Sequence, residues 1–489
     1  MPATAQHLDA VDRAIEAEAD SAFAFLERLV RAPSMVGDEA EAQAVVAGEL
    51  ARLGFAVSRV PVPERTAAHP AAGVPQCSYA GRDDVLGRLN PGASPSLLFN
   101  GHVDVVPAEP AVWSGDPFQP VTSGGWMRGR GTGDMKGGFA MGLLAVAALR
   151  RAMPGALTGE LGFLSVIEEE CTGNGTLAAC DAGVLGDAVL LLEPTGLDLL
   201  LGGVGILWAE IEVPGVPAHA ESADRAVNPV RSVPVILKAL ADLEEELAAD
   251  TGDPAFAAVA RPYNVNAGTV LAGDWASSVP ARARVGVRVG YPRRWTANEA
   301  FGQVRAAVLR AAAADPWLAG HPPVLRQTGF RAQGYLLRHD HPLVTAVADA
   351  HASAHGDRPA HRVLGSTTDA RYQAAQRVCL QAGGEAPPPA CRVDGASPIR
   401  QDDYARYRRA GGNVPARGKS LWSGCKTRSF AFWRSAVKQE AAGVPHARHR
   451  LNLQPPRWRA RQYLNQFGRS ALAYGPWARR PRLRQRARP

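Results

Sequence analysis

Apolar residues recur with a helical period in the first part of the chain and also form short runs typical of buried strands. Helices are predicted over 10–31, 39–53 and 135–150, and strands over 55–62, 96–99, 160–167 and 189–192. The residue before Pro33 avoids helical backbone angles, which ends the first helix near Arg31. Because strands alternate with helices, the pattern predicts a layered α/β domain with a mixed, mostly parallel sheet.

The pattern changes near Gly203 to longer strands in which polar and apolar residues alternate. Strands are predicted over 207–213, 265–270 and 283–289, with helices over 230–247 and near 298–313. This pattern is typical of an α+β domain inserted into the first domain, whose own pattern resumes near Tyr335. We therefore expect a catalytic domain formed by 1–205 and 330–372 and an inserted domain over 206–329.

Length and composition agree with two domains. The 489 residues, 46% of them hydrophobic, suffice for a sizeable core. The N-terminal residues lack the pattern of a signal peptide, and no run of eighteen apolar residues occurs, so we expect a cytoplasmic protein with no membrane partner. The six cysteines show no paired spacing, which indicates reduced thiols.

Acidic and histidine residues lie at the ends of segments that otherwise resemble buried elements. The candidates are His102, Asp104, Asp134, Glu169, Glu170 and Glu193. An unpaired charge at such a position would cost several kcal/mol unless a cation or a partner offset it. Carboxylates with histidine and without thiolate suit zinc, with cobalt or manganese as alternatives. The pattern therefore predicts a two-metal hydrolytic centre.

Two of these motifs allow a more specific interpretation. Residues two apart in a strand share a face, so one of His102 and Asp104 can bind metal while the other orients it. The triplet 168–170 can supply a metal ligand and a carboxylate that takes a proton from the attacking water. Taken alone, however, the first motif also fits a surface turn, and the triplet also fits exposed carboxylates at a strand end.

Five sequence runs together resemble a known family over roughly residues 11–372. They are Phe-Asn-Gly-His-Val-Asp-Val-Val-Pro (99–107), Gly-Arg-Gly-Thr-Gly-Asp-Met-Lys-Gly-Gly (129–138), Glu-Glu-Glu (168–170), Leu-Glu-Pro-Thr (192–195) and Pro-Ala-His-Ala (217–220). The chain resembles the zinc-dependent deacylases and peptidases that include acetylornithine deacetylase, succinyl-diaminopimelate desuccinylase, aminoacylase and glutamate carboxypeptidase. The resemblance implies a three-layer catalytic domain.

The resemblance also implies roles for individual residues. Two zinc ions per subunit would be held by His102, Asp134, Glu170 and Glu193, with Asp134 bridging them. Asp104 would orient His102, and Glu169 would be the general base. His219 would reach the neighbouring subunit's site to stabilise the oxyanion, and the inserted domain would act as a lid and form a homodimer. Arg288 and Arg371 would bind a substrate carboxylate. Without the resemblance, His219 and either arginine would be interpreted as ordinary surface residues.

The activity that the resemblance implies is hydrolysis of the amide bond of a small N-acyl amino acid. Acetylornithine is the first expected substrate, which would place the protein in arginine biosynthesis. Succinyl-diaminopimelate or a dipeptide is the next, through a desuccinylase, dipeptidase or carboxypeptidase of the same family.

The C-terminal part departs from the family pattern. In relatives, the segment that corresponds to 369–372 continues into a strand, a Gly-Pro turn and a His-Gly pair that supplies the last zinc ligand. Here 373–462 is rich in Arg, Pro, Gly and Gln, and only 463–476 resembles the continuation. We predict an irregular or disordered insertion over 373–462 and a remnant with an arginine-rich, aberrant ending over 463–489.

No histidine follows Pro476, and His446 and His449 are weak substitutes for the missing ligand. A catalytically impaired family member is therefore the alternative function. From Gln373 onward the chain has 24 basic and 5 acidic residues, which gives +19 against −12 for the preceding residues. We attribute this asymmetry to a reading-frame error in the gene. A nucleic-acid partner is not expected, because the segment lacks interleaved aromatic residues and repeats.

Overall fold

The computed structural model describes residues 5–109, 113–123, 126–250 and 252–374, together with the backbone of 378–381 and 399–400. Its α-helices are α1 (Ala5–Arg31), α2 (Ala40–Arg52), α3 (Lys136–Ala152), α4 (Asn174–Asp181), α5 (Val233–Ala248), α6 (Ala297–Ala312), α7 (Pro342–His355) and α8 (Ala370–Ala374). No helix in this part of the chain is both long enough and apolar enough to cross a membrane.

The strands are β1 (Ala56–Pro61), β2 (Asp83–Leu89), β3 (Ser96–His102), β4 (Val121–Ser123), β5 (Trp126–Arg128), β6 (Glu160–Val166), β7 (Ala188–Leu191), β8 (Leu199–Gly203), β9 (Gly205–Pro214), β10 (Ala218–His219), β11 (Val265–Ala272), β12 (Ser278–Val279), β13 (Arg282–Tyr291), β14 (Val324–Ala332), β15 (Tyr335–Leu336), β16 (His361–Leu364), β17 (Val378–Gln381) and β18 (Ile399–Arg400). Most of the described strands belong to one of two larger sheets.

Sequence features account for the ends of several helices. Thr296 and Glu299 form a reciprocal capping box that satisfies backbone N–H groups at the start of α6. Helix α7 begins with Pro342, whose fixed φ suits the first helical turn. It ends before Gly356, whose φ of +89° is in the left-handed region that favours glycine.

The larger sheet has the order β1-β2-β6-β3-β7-β17-β8-β15, with β16 also paired to β8. Its centre is parallel, because β3 pairs in parallel with both β6 and β7, and β17 pairs in parallel with β7. The pairs β1–β2, β2–β6 and β8–β15 are antiparallel. The α/β class with a mixed sheet is therefore confirmed. The sheet is less parallel than predicted, because parallel pairing covers only β6-β3-β7-β17 and the β8–β16 pair, and the other described pairs, including β8–β17, are antiparallel.

The second sheet has the order β11-β13-β9-β14 and is antiparallel throughout its described strands. Along β9, buried and partly buried residues alternate, as in a sheet with one face on a core. That core includes Ile211, Val285, Ile236 and Val304, from two strands and from helices α5 and α6. The sheet and its core form the part of the chain in which the inserted domain is predicted.

Strand β17 lies inside the segment that the sequence suggests is irregular. Val378 is opposite Ala188 and Gln381 is opposite Leu191, so the catalytic sheet continues past Tyr372, where the predicted domain ends. The predicted remnant over 463–489, His446 and His449 lie outside the described residues.

Candidate metal centre

Three neighbouring parallel strands deliver the acidic and histidine residues to one place. His102 is the last residue of β3, the triplet 168–170 follows β6, and Glu193 follows β7. The carboxyl ends of parallel strands meet at one edge of a sheet, which is where α/β folds form their sites. Residues separated by up to 91 positions in the chain are thereby brought together.

Asp134 joins this cluster from the loop before α3. The Nε2 atom of His102 lies 3.2 Å from Asp134 Oδ1 and 3.9 Å from Glu193 Oε1. Within the described residues, two groups have ligand atoms that all lie within 4.8 Å of one another: one is His102, Asp134 and Glu170, and the other is His102, Glu169 and Glu193. The structure thus brings all four expected ligands and the expected base together.

Close packing fixes the loop that carries Asp134. A Cβ atom on Gly138 would lie 2.0 Å from the carbonyl oxygen of Leu192, so only glycine allows α3 to approach the strand end before Glu193. On the other side, the buried ammonium of Lys136 donates hydrogen bonds to two carbonyls at the end of α1, those of Leu29 at 2.9 Å and Ala32 at 3.0 Å. The start of α3, which follows Asp134, is therefore held between α1 and the centre of the sheet.

The contacts of Asp104 show how His102 is oriented. Nδ1 of His102 lies 2.9 Å from the backbone carbonyl oxygen of Asp104, and the carboxylate is farther away, at 3.7 Å. When Nδ1 carries the proton, it donates a hydrogen bond to that carbonyl oxygen. Nε2 is then unprotonated, as in a histidine that binds a metal ion, and it faces Asp134. The Asp104 carboxylate instead accepts the backbone N–H groups of Glu169 at 3.2 Å and Glu170 at 3.1 Å.

Burial and mutual repulsion shape the electrostatics of the cluster. Burial raises the pKa of Glu169 to about 8 and the pKa of Asp104 to about 6. Burial and the nearby Asp134 hold the pKa of Glu170 well above its usual range. Burial alone would lower the pKa of His102, but its hydrogen bond to Asp134 and the surrounding carboxylates raise it.

The donor set fits divalent cations. The cluster contains four carboxylates and one imidazole, and its ligand atoms are close enough to share an ion. Such a concentration of negative charge is costly in a partly dry site unless cations offset it. Oxygen and imidazole donors without thiolate suit zinc and similar divalent ions.

His219 is outside this cluster. It lies on β10, which pairs with β12 in a separate two-stranded sheet, its side chain is exposed, and its Nδ1 accepts the backbone N–H of Glu221 at 3.2 Å. It belongs to neither of the two possible metal groups. Its expected role would require a second subunit and stays a prediction.

The two arginines expected to bind substrate lie in different surroundings. Arg288 donates to the side chain of Asn264 and to the carbonyl oxygen of Gly365, the latter at 3.1 Å, and burial lowers its pKa. Arg371 is buried and donates to the carbonyl oxygen of Thr172 at 3.0 Å, in the turn that follows Glu170. Arg371 therefore adjoins the cluster and Arg288 does not contact it directly. Their substrate roles stay predictions.

Sequence reasoning leaves Glu168 without a function, although the structure shows its carboxylate in a network of hydrogen bonds. It accepts hydrogen bonds from Arg82, Tyr79 and Thr172, each at 2.8 Å. Arg82 and Tyr79 are more than eighty residues away in the chain, so no local spacing could indicate these pairs. The only sequence signal is the charged run Arg82-Asp-Asp84 at the start of β2.

Comparison with known proteins agrees with this geometry. Residues 98–397 match the model of peptidase family M20/M25/M40. A succinyl-diaminopimelate desuccinylase of Methylobacterium sp. (strain 4-46) is 34% identical over 369 residues, which cover 72% of this chain and 85% of that relative. The chain belongs to peptidase family M20/M25/M40. This confirms the family expected from the five motifs, and it makes the protein a member of a family of metal-dependent hydrolases.

Solved structures of family members share the fold. The di-peptidase Dug1p of Saccharomyces cerevisiae superposes with a TM-score of 0.69 at 15% identity, over 89% of this chain and 99% of its own. The metallo-carboxypeptidase Sso-CP2 of Sulfolobus solfataricus superposes with a TM-score of 0.61 at 16% identity, over 85% of this chain and 99% of its own. At these identities the likeness concerns the fold alone.

Proposed function

We propose that this M20 family member hydrolyses the amide bond of an N-succinyl amino acid of the succinyl-diaminopimelate type. The single observation that carries the reaction class is the convergence of His102, Asp134, Glu169, Glu170 and Glu193 at the end of the parallel sheet. The 34% identity to a succinyl-diaminopimelate desuccinylase supports a succinyl group as the acyl group that is removed. Acetylornithine, expected first from the sequence, and with it arginine biosynthesis, is not supported by that relative and ranks below the desuccinylase activity.

The proposed cofactor is a pair of zinc ions, with cobalt or manganese as alternatives. His102, Asp134, Glu170 and Glu193 would hold them. The sharing of Asp134 between the two ions rests on the family resemblance, and its Oδ1 lies 3.2 Å from Nε2 of His102. When bound, such ions polarise the scissile carbonyl and make the attacking water more acidic.

Glu169 is the proposed general base. Its backbone N–H is fixed by the Asp104 carboxylate at 3.2 Å, and its side chain reaches the group that includes His102 and Glu193. The Glu169 carboxylate would take a proton from the attacking water and return it to the leaving amine. Proton transfer of this kind contributes about 10²–10⁴-fold to rate.

A homodimer through the inserted domain is proposed on separate grounds. Strand β11 lies at the edge of its sheet and exposes Val270 and Leu271, and Trp275 beyond it is 71% exposed. An unpaired edge strand with apolar side chains favours pairing with another copy. In such a dimer His219 would serve the partner's site.

Mixing two inactive variants tests that arrangement. His219→Ala and Glu169→Gln would each be inactive alone, but after subunit exchange one site of each mixed dimer has an intact Glu169 and an intact His219. About a quarter of the wild-type activity should return, because half of the dimers would be mixed and each would have one working site. No recovery in a mixture shown by mass to contain mixed dimers would contradict the role of His219.

A substrate panel tests the proposed reaction. The full-length protein, stripped with a chelator and reloaded with zinc, would be incubated with N-succinyl-diaminopimelate, N-acetylornithine and a dipeptide, and amine release would be measured. We expect the succinyl compound to be hydrolysed most efficiently, with Glu169→Gln as the inactive control. Preference for the acetyl compound or the dipeptide would overturn the proposed substrate.

A catalytically impaired family member is the second candidate. It is favoured by one sequence observation: Trp-Ala-Arg-Arg follows Pro476, where the family pattern continues to a histidine ligand. In that case the protein would bind one zinc ion or none and would hydrolyse none of the three compounds. Measurement of zinc per chain in the same preparation distinguishes the two candidates.

The cytoplasmic location and the absence of a nucleic-acid partner stay predictions from the sequence. A binding titration with duplex DNA at two salt concentrations would test the second of these, since affinity from the basic segment would fall steeply with added salt.

A further inference from the structure

A buried ionic cluster lies behind the turn that carries Glu169 and Glu170. We call Glu39, Arg82 and Glu168 the Glu168 cluster. Nε of Arg82 donates to Glu39 at 2.9 Å, and its Nη1 donates to Glu168 at 2.8 Å. Glu39 and Glu168 are almost inaccessible and Arg82 is only 8% exposed, so the guanidinium is held between two carboxylates away from solvent.

Glu168 is also fixed through its second carboxylate oxygen and its backbone. The hydroxyl groups of Tyr79 and Thr172 both donate to Oε2 at 2.8 Å. The carbonyl oxygen of Glu168 accepts the backbone N–H groups of Thr172 and Gly173. Its φ is +62°, a left-handed conformation that costs a non-glycine residue free energy and persists only where the surroundings impose it.

The other side of the turn packs against Arg371. A Cβ atom on Gly173 would lie 1.8 Å from Nη2 of Arg371, and that same nitrogen donates to the carbonyl oxygen of Thr172. The turn 168–173 is therefore held between Arg82 and Arg371. A shift at either side would move Glu169 and Glu170, which directly follow Glu168.

We propose that Arg82 is a positioning residue for the metal centre, which binds Glu168 against Glu39 and thereby fixes the turn that carries Glu169 and Glu170. This inference rests on the proposed metal-binding function. Stability alone is a poor explanation for the cluster, because buried ion pairs contribute little net stability compared with well-packed apolar residues. The cluster has two carboxylates for one guanidinium, and one of those carboxylates, Glu168, lies in the turn that carries Glu169 and Glu170.

Arg82→Met tests the proposal in the full-length protein, with Arg88→Met as the matched control. Arg88 lies on β2, six residues further along, and pairs with Glu160 at 3.5 Å, away from the turn. Zinc affinity would be measured by competition with a chromophoric chelator, together with kcat, KM and the melting temperature in excess chelator. We expect Arg82→Met to bind the more weakly held of its two zinc ions about 10–100-fold less tightly than the wild type does. A loss of this size is typical when a residue that supports metal ligands is removed. Arg88→Met should bind zinc as the wild type does.

A purely structural role for Arg82 would give a different result. It would lower the melting temperature of the metal-free protein and leave zinc affinity and kcat of the folded fraction unchanged, and this outcome would overturn the proposal. Arg82→Lys keeps the charge without the planar fork, so it should restore part of the zinc affinity lost in Arg82→Met.

Glu168→Gln provides an independent measurement if Arg82→Met does not fold. It leaves Arg82 paired with Glu39, so no charge is stranded in the interior. We expect zinc affinity to fall several-fold while the melting temperature in chelator changes little, and wild-type affinity in both Glu168→Gln and Arg82→Lys would overturn the inference. If the wild-type protein binds two zinc ions but hydrolyses none of the panel compounds, the proposed function is contradicted and the inference about Arg82 is not. If it binds no zinc, cobalt or manganese, both the proposed function and the inference about Arg82 are contradicted.

Discussion

The two larger sheets in the described part of the chain place their charged residues in opposite ways. At the end of the larger sheet, His102 and Glu169 are buried and face other ionisable groups. On the second sheet, where the inserted domain is predicted, Glu210 lies between Arg284 and Arg326, whose side chains are 37% and 55% exposed. Similar residue types therefore contribute differently to the free energy of folding, because water screens exposed ion pairs and does not screen buried charges.

This difference indicates which charges the function depends on. Exposed pairs typically contribute 0–1 kcal/mol each to stability, so natural variation at those positions costs about that much or less. Buried like charges are tolerated only if something offsets their desolvation and repulsion, and at the metal centre that something is proposed to be cations. Substitutions that make the same chemical change in both regions should therefore have very different effects.

The largest difference is expected between Glu169→Gln and Glu212→Gln. Glu169 is the proposed base, so its loss should lower kcat by about 10²–10⁴-fold. Glu212 pairs with Arg284 at 3.4 Å on the surface of the inserted domain, so its loss should leave kcat unchanged. Steady-state kinetics on the zinc-loaded proteins would measure both. Equal kcat values for Glu169→Gln and wild type would remove Glu169 from the mechanism.

Asp104→Asn should have the next largest effect. The carboxylate accepts two backbone N–H groups, and an amide side chain can accept only through its single oxygen. The turn that carries Glu169 and Glu170 should loosen, and zinc affinity should fall about 10–100-fold. Isothermal titration of the metal-free protein with zinc would measure this.

Asp253→Asn is the control for that experiment. Its carboxylate accepts a single backbone N–H, that of Ala255 at 3.1 Å, and two hydrogen bonds from Arg293 at 2.8 and 3.1 Å, all outside the turn that carries Glu169 and Glu170. A loss of zinc affinity equal to that of Asp104→Asn would show that the effect comes from general destabilisation and not from the turn.

The sequence predicts the centre of the catalytic domain well for a physical reason. His102, Glu170 and Glu193 each follow a short apolar run, and parallel strands bring such positions together without any knowledge of long-range contacts. Asp134 is predicted from a different local pattern, because glycines surround it at the start of an apolar helix. Local patterns suffice where the fold itself aligns the strand ends.

The sequence gives no comparable signal for the support behind these residues. The Arg82–Glu168 pair joins positions 86 residues apart, and neither residue has a spacing that distinguishes it from a surface charge. The orientation of His102 by a backbone carbonyl also leaves no trace in residue type. Contacts that depend on tertiary packing are therefore found only in the structure.

Gly173→Ala and Gly273→Ala compare the packing of the two regions. Both glycines have positive φ, +75° and +71°, so alanine costs backbone free energy at each site. At Gly173 the added methyl would also lie 1.8 Å from Arg371, whereas at Gly273 the nearest atom is 3.7 Å away. We expect Gly173→Ala to lower the free energy of unfolding by more than about 2 kcal/mol and Gly273→Ala by about 1 kcal/mol. Urea denaturation of both variants would measure this, and equal losses would show that the turn tolerates displacement.

The smallest effect is expected at the surface of the second sheet, where Arg284→Met removes one partner of both Glu210 and Glu212. Arg284 lies 3.8 Å from Glu210 and 3.4 Å from Glu212, but Arg326 also contacts Glu210 and can compensate for part of the loss. The free energy of unfolding should fall by about 0.5 kcal/mol at low ionic strength, and the difference should shrink with added salt because exposed charges are screened. A loss above about 2 kcal/mol that persists in 1 M salt would mean that these charges are not screened, and the contrast between the two sheets would then not hold.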